Sequence, residues 1–148
     1  MAEKYEYVFK PFSSFKVGDS VSFTNEFSAE DVRQFSELTG DLNPIHLDEE
    51  FSKTTFFGTR LVQGAFVDAV CGTIIAPFCG TASINMGQEW GCPAPTRVGD
   101  SVTYEVTVKE MVEEKHDLIL ELKGTRQDGT VVFTGTNRVK IMDKKKNH

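Results

Sequence analysis

Between Gly64 and Phe78 the chain reads Gly-Ala-Phe-Val-Asp-Ala-Val-Cys-Gly-Thr-Ile-Ile-Ala-Pro-Phe, with Asp68 as the only charged residue. A helix that is apolar nearly all round has no face to offer water and belongs inside a protein, surrounded by other elements. It is too short to span a bilayer, which takes about 20 apolar residues, and no other stretch approaches that length. The rest of the chain must therefore wrap around this helix, which Pro77 and Gly80 bring to an end.

Strands supply the wrapping. Ser101 to Glu110 alternates strictly, with Val102, Tyr104, Val106 and Val108 on one face. Ser83 to Trp90, the stretch marked by Leu118, Leu120 and Leu122, and the stretch from Val131 and Phe133 to about Ile141 complete the C-terminal half. Asp128-Gly129 is a strong hairpin turn between the last two. A short self-similarity marks a further strand: Val17-Gly18-Asp19-Ser20-Val21-Ser22-Phe23 recurs as Val98-Gly99-Asp100-Ser101-Val102-Thr103-Tyr104, and in both copies a Gly-Asp turn feeds an alternating run. A helix follows from about Ala29 to Thr39, with Ser28 as N-cap, Asp31 three residues on, Phe27 and Val32 as a hydrophobic staple, and Gly40 at the C′ position. A short helix is expected over Asp48 to Ser52. Roughly five strands around one buried helix, with one or two smaller helices, predict an α+β fold with an antiparallel sheet.

The 148 residues fit a single domain, which buries about two-thirds of its unfolded surface, and no linker-like segment divides it. Lys and Arg number 16 against 22 Asp and Glu, for a net charge of −6 and an isoelectric point of about 5.1. That balance argues against sequence-independent nucleic-acid binding, which draws its affinity from neutralising phosphates. The one dense basic run, Lys144-Lys145-Lys146, reads as a solvated tail. Cys71, Cys79 and Cys92 form no CxxC pair and have no His nearby in sequence, so neither a disulfide framework nor a metal site is expected, and a reducing compartment follows. Met1 to Glu6 has the layout of neither a secretory signal nor a transit peptide, which points to the cytoplasm, or to the mitochondrial matrix if a transit peptide has been trimmed. Twelve Phe supply rigid apolar area for a packed core or a tunnel. His116 and His148 have no motif neighbour.

The loop Asp41-Leu42-Asn43-Pro44-Ile45-His46 is the polar exception in this apolar frame. It holds an acid, an amide and an imidazole within six residues, stiffened by Pro44. Asp and His are the residue types that exchange protons near neutral pH, and a rigid loop can hold both against one small reactant. The same residues also suit a plain turn, since Asp after a helix-ending Gly and Asn-Pro both start turns. Spacing alone leaves both readings open.

The run Phe35-Ser36-Glu37-Leu38-Thr39-Gly40-Asp41-Leu42-Asn43-Pro44-Ile45-His46-Leu47-Asp48-Glu49-Glu50-Phe51, followed by Phe57-Gly58 and Leu61-Val62-Gln63-Gly64, resembles the hydratase-2 motif of MaoC-like dehydratases, the (R)-specific enoyl-thioester hydratases. That motif is Gly-Asp-x-Asn-Pro-x-His-x-Asp, then Phe-Gly, then His-Gly at the start of a central helix. Gln88, Pro93, Pro95 and Val98-Gly99-Asp100 extend the resemblance more weakly, and it covers about Phe12 to Ile141. It implies a hot-dog fold, a curved antiparallel sheet wrapped around one long helix, paired as a homodimer or dimer of dimers. It also implies reversible hydration of trans-2-enoyl thioesters to (R)-3-hydroxyacyl thioesters, with no cofactor or metal beyond the coenzyme A or acyl carrier protein that bears the substrate.

By the same resemblance, Asp41 and His46 match the acid/base pair, Asn43 the residue that orients them, and Gly64 the N–H donor to the thioester oxyanion. Gln63, Phe57 and Gly58 fall at the substrate-binding positions. The N-terminus of the buried helix suits an oxyanion, because its first N–H groups are free and its dipole end is positive. Gln63 departs from the family His and has no comparable acidity; it suggests as an alternative an acyl-CoA thioesterase on the same fold, and, since fold does not fix function, a non-catalytic acyl-binding subunit is a further alternative. Ser52 replaces a favoured Ala. Arg60 and Arg97 flank the site and suit either surface solvation or the phosphates of a carrier. Acidic net charge leans toward coenzyme A over an acidic carrier protein. Phe35 and Phe133 are expected in the core, and Phe56, Phe57, Phe66 and Phe78 are candidates to line an acyl tunnel.

Overall fold

Along residues 6–142, which the structure, a computed structural model, describes, the elements are β1 (Ser20–Glu26), α1 (Ala29–Thr39), α2 (Pro44–Leu47), α3 (Glu49–Ser52), α4 (Gly64–Cys79), β2 (Ile84–Gly91), β3 (Ser101–Val112), β4 (Asp117–Arg126) and β5 (Val131–Lys140). The expectations placed on Met1 to Tyr5, on Lys144 to Lys146 and on His148 lie outside the described residues. The strands form one antiparallel sheet in the order β1-β3-β4-β5-β2.

The recurring Val-Gly-Asp turns feed the two strands that pair with each other, β1 and β3. In each copy the Asp side chain accepts from the N–H three residues back, Lys16 to Asp19 at 2.9 Å and Arg97 to Asp100 at 2.8 Å. Gly18 and Gly99 take nearly equal left-handed φ values of +95° and +97°. Their N–H groups reach one residue past the paired stretch of the ladder, Gly18 to the Val108 carbonyl and Gly99 to the Phe27 carbonyl. The register closes the symmetry: Phe23 and Tyr104, the seventh residues of the two copies, lie directly opposite each other. The repeat is thus a local two-fold within one ladder, with its axis between Phe23 and Tyr104.

Alternation along β3 and β4 sends Val102, Tyr104, Val106, Val108, Leu118, Leu120 and Leu122 to the face that meets α4, all nearly inaccessible to solvent. β5 departs from simple alternation. Val131 is half-exposed and Val132 and Phe133 are both buried, because Thr125 pairs with Val131 and Gly124 with Phe133, leaving Val132 as an extra residue in a bulge.

The sheet covers one side of α4. Val67, Cys71 and Ile74 face it and are buried, whereas Ala65, Ala69, Gly72 and Ala76, spaced to share the opposite face, are exposed. Full enclosure of this helix, expected from its sequence, is not supplied by the described chain, because five strands make one layer and one layer covers one helix face. A second departure concerns the polar loop. Residues expected to be irregular up to His46 include a helical turn, α2, nucleated by Asn43 as N-cap and Pro44 in the first position.

Two cations converging on the buried Asp117 carboxylate fasten the β4 and β5 ends. The Asp117 carboxylate, 3% exposed, accepts from Arg138 Nε at 2.7 Å and Lys140 Nζ at 2.8 Å. Burial favours its neutral form, but the hydrogen bonds and charges of Lys140 and Arg138 outweigh this and hold it below the ordinary 3.8. Asp117→Asn should cost on the order of 2 kcal/mol in urea unfolding at neutral pH. Because the folded value lies below the unfolded one, the charge contribution is fully present above pH 3.8 and is lost as pH falls through the lower folded value. The gap between wild type and variant should therefore close in acid.

Candidate active site

The site is built outward from the C-terminus of α1. Gly40 ends that helix in a left-handed turn, φ +81°, donating to the Ser36 carbonyl at 2.9 Å, a conformation that suits a residue without Cβ. The chain reverses into Asp41, whose Oδ1 accepts from the Asn43 N–H at 3.2 Å. Asn43 Oδ1 in turn accepts from the Ile45 N–H at 3.1 Å, capping α2. Asp41 and Asn43 thus each fix the backbone two residues on, and the last to be placed is His46, in the final turn of α2.

The His46 ring is held at Nδ1. Nδ1 lies 2.7 Å from the Leu61 carbonyl; a carbonyl only accepts, so Nδ1 carries the proton and donates. Nε2 then faces Asp41 Oδ2 at 3.5 Å. The imidazole is 12% exposed and the carboxylate 46%, so the pair opens to solvent on the Asp41 side. Ser52 is fully buried and its hydroxyl donates to the Ile45 carbonyl at 3.3 Å, tying α3 to α2; it shapes the turn and does not face the reactive pair.

Leu61 joins this turn to α4. Its N–H donates to the Ile45 carbonyl while its carbonyl holds His46, and Gly64 follows three residues later. In the first turn of α4, Phe66 and Val67 donate back to the Gln63 carbonyl, leaving Gly64 and Ala65 as the orphan N–H groups among the described residues. A Cβ on Gly64 would sit 3.6 Å from Cys92 Sγ and 3.8 Å from the Trp90 ring, so the missing side chain leaves a gap between α4 and β2.

Gln63, beside Gly64, turns inward. It is 2% exposed, and Nε2 donates to the Val32 carbonyl at 3.0 Å and to Ser36 Oγ at 2.7 Å, clamping α1 against the start of α4 while Oε1 has no hydrogen-bond partner among the described residues. Phe57 and Gly58 are held on an exposed turn after α3, with Phe57 edge-on against Phe56. Two of the aromatics expected at a tunnel pack against other rings. Phe66 stacks on Phe35 at 4.8 Å and meets Phe27 edge-on at 5.1 Å, and Phe78 meets Phe15 at 6.1 Å under the Lys10 ammonium. Arg60 is taken up by Glu49, Nε to Oε2 at 2.8 Å, whereas Arg97 is exposed.

Three contributors carry no role that the sequence motif assigns. The Leu61 carbonyl is a backbone group, and Ser36 and Cys92 become relevant only through the helix and strand that carry them. Among the described residues no group of three or more His, Cys, Asp or Glu is placed to hold a metal, and no helix is long and apolar enough to cross a membrane. A shallow depression of about 520 Å³ lies elsewhere, among Glu89, Lys109, Glu121 and Lys123 on the sheet, away from the Asp41–His46 pair.

Residues 13–129 match the family described as MaoC like domain. An (R)-specific enoyl-CoA hydratase of Rhodospirillum rubrum is 38% identical over 134 residues, covering 88% of this chain and 90% of that protein. A 3-hydroxybutyryl-CoA dehydratase of Methylorubrum extorquens is 36% identical over 137 residues, covering 90% of this chain and 85% of that protein. A solved structure described as an (R)-hydratase from A. caviae involved in PHA biosynthesis superimposes with a TM-score of 0.84 at 33% identity, covering 87% of this chain and 98% of that one. The antiparallel sheet and long helix are those of the hot-dog fold.

Gln63→Ala should destabilise the protein by on the order of 2 kcal/mol in urea unfolding, since it strips a buried hydroxyl and carbonyl of their donor. Gln63→Glu should be at least as harmful, because a carboxylate cannot donate to either partner.

Proposed function

The chain belongs to the MaoC-like domain family, and from that premise we propose that it adds water reversibly across trans-2-enoyl thioesters to give (R)-3-hydroxyacyl thioesters. The observation that carries this reading is the His46 ring, pinned through Nδ1 by the Leu61 carbonyl with Nε2 turned to the Asp41 carboxylate.

Hydration must take one proton from water as its oxygen attacks C3 and deliver one proton to C2. With one proton on the pair, imidazolium opposite carboxylate, Asp41 takes the proton of the attacking water and His46 Nε2 gives its own to C2. A proton then passes from Asp41 to Nε2 across the short gap between them and restores the starting state. Negative charge gathers on the thioester oxygen during attack, and the orphan N–H of Gly64, at the positive end of a 16-residue helix, is suited to receive it. Asn43 serves by holding the turn that carries His46. In this chemistry the protein supplies only proton transfer and hydrogen bonds, and needs no metal or cofactor beyond the carrier that bears the acyl group.

Arg97 is the exposed cation near the site that is suited to a carrier phosphate, and the net charge of −6 favours coenzyme A over an acidic protein carrier. Gln63 had suggested a thioesterase; its inward donation to α1 weighs against that role. We further place the chain in a reducing compartment, which keeps Cys71, Cys79 and Cys92 as thiols; burial pushes the first two up to about 12. A second copy of the chain is the proposed cover for the exposed Ala65–Ala76 face of α4.

With a four-carbon trans-2-enoyl-CoA, loss of the conjugated absorbance should be enzyme-dependent, and Asp41→Asn and His46→Ala should each lower kcat about 10²- to 10⁴-fold. Retained rate in either variant would remove that residue from the assignment, and thiol release without hydration would replace the hydratase by a thioesterase. Sedimentation should give twice the 16.5 kDa chain mass; a monomer of full activity would remove the proposed pairing.

A further inference from the structure

Asp68, the lone charge in α4, has no part in the chemistry above, yet it lines a cavity beside that helix. It lies one helical turn beyond Gly64 on the same side of the helix, about 6 Å further along the axis. Gln88 of β2 meets it there, Nε2 donating to Asp68 Oδ1. The two side chains bridge α4 and β2 just past the gap that Gly64 leaves beside Cys92 and Trp90. The bridge itself forms part of the wall of a cavity of about 280 Å³, whose lining includes Gly72, Ile75 and Val139 but also Asn85 and Asn137. Asn137 is 1% exposed and donates to Asn85 Oδ1 at 2.8 Å and the Gly87 carbonyl at 2.9 Å, so the polar lining is built into the sheet.

An apolar acyl tunnel rewards chain length by about fourfold in affinity per buried methylene. A carboxylate in the wall reverses that trend, because an alkyl chain pressed against it removes its water and returns no hydrogen bond. Burial already pushes the Asp68 carboxyl up, with the Gln88 hydrogen bond opposing. An extended chain advances about 1.2 Å per bond. With its carbonyl at Gly64, a four-carbon acyl group ends short of Asp68, whereas an eight-carbon group must pass it.

We propose that the Asp68–Gln88 bridge restricts this protein to short acyl chains. The proposal rests on the hydratase reading for the position of the carbonyl, and on the bridge and cavity for the restriction.

The test is calorimetric titration with butyryl-CoA and octanoyl-CoA, which are saturated and are not turned over, beside hydration assays of the matching four- and eight-carbon trans-2-enoyl-CoAs. Wild type should bind octanoyl-CoA no more tightly than butyryl-CoA. Asp68→Ala should raise the octanoyl-to-butyryl affinity ratio at least tenfold, and Asp68→Asn, which keeps the shape and removes the charge, should raise it in the same direction. Gln88→Leu, from the strand side, gives an independent variant if Asp68 substitutions fail to fold. A wild-type preference for octanoyl-CoA approaching the roughly 250-fold expected of four freely buried methylenes, or a ratio unmoved in Asp68→Ala and Gln88→Leu, overturns the proposal. Butyryl-selective binding with no hydration of either substrate overturns the hydratase reading alone and leaves the bridge standing. No binding of either thioester overturns both.

Discussion

The hydrogen bond from the Tyr104 hydroxyl to the Val67 carbonyl, 2.6 Å long and fully buried, is the contact on which the rest of the molecule hangs. Tyr104 sits on the local two-fold of the β1–β3 ladder, stacked with Phe23 and edge-on to Phe133, so its ring is fixed by the centre of the sheet. Its hydroxyl reaches α4 in the first turn, one residue before Asp68 and three after Gly64. Burial raises the phenol well above its ordinary value, so it stays a donor. A phenol in a dry core needs an acceptor, and the carbonyl it finds sets where the helix N-terminus lies against the sheet.

From that anchored N-terminus a short series of buried polar contacts leads to the reactive pair. Gln63 ties the first residue before α4 to Ser36 and Val32 in α1, and Phe66 packs its ring against Phe35 of the same helix. The end of α1 launches Asp41, and the Leu61 carbonyl holds the His46 ring. Asp41, His46 and the Gly64 N–H are thus placed by one framework of α1, α2 and the α4 N-terminus, with side chains fixed by backbone groups. Backbone partners are stiff, and they hold a separation such as the 3.5 Å between Asp41 and His46 better than two long side chains would.

The position beside Gly64 shows how a family motif can be kept in place while its content changes. A residue with a side-chain donor still stands there, but its amide is spent inside the protein. One turn past Gly64, Asp68 and Gln88 set polar groups into a cavity wall that also carries Ile75 and Val139. Both features follow from what faces position 63 and position 68 in space, Ser36 in one case and Gln88 in the other, each more than 15 residues away in sequence.

Much was legible in the residue order. The 3.6-residue and two-residue periods, the Ser28 cap, the Gly40 stop and the Asp128-Gly129 turn are local signals and match the elements observed, and Gly-Asp-x-Asn-Pro-x-His reads as a site because its side chains bond to backbone a few residues away. Tertiary structure alone decided the Val132 bulge, the inward turn of Gln63, the use of Phe66 and Phe78 in packing, and the open face of α4. The reason is range. Periodicity and caps depend on neighbours within a turn or two, whereas which way a side chain points, and which face of an apolar helix stays uncovered, depend on partners that only the folded sheet brings near.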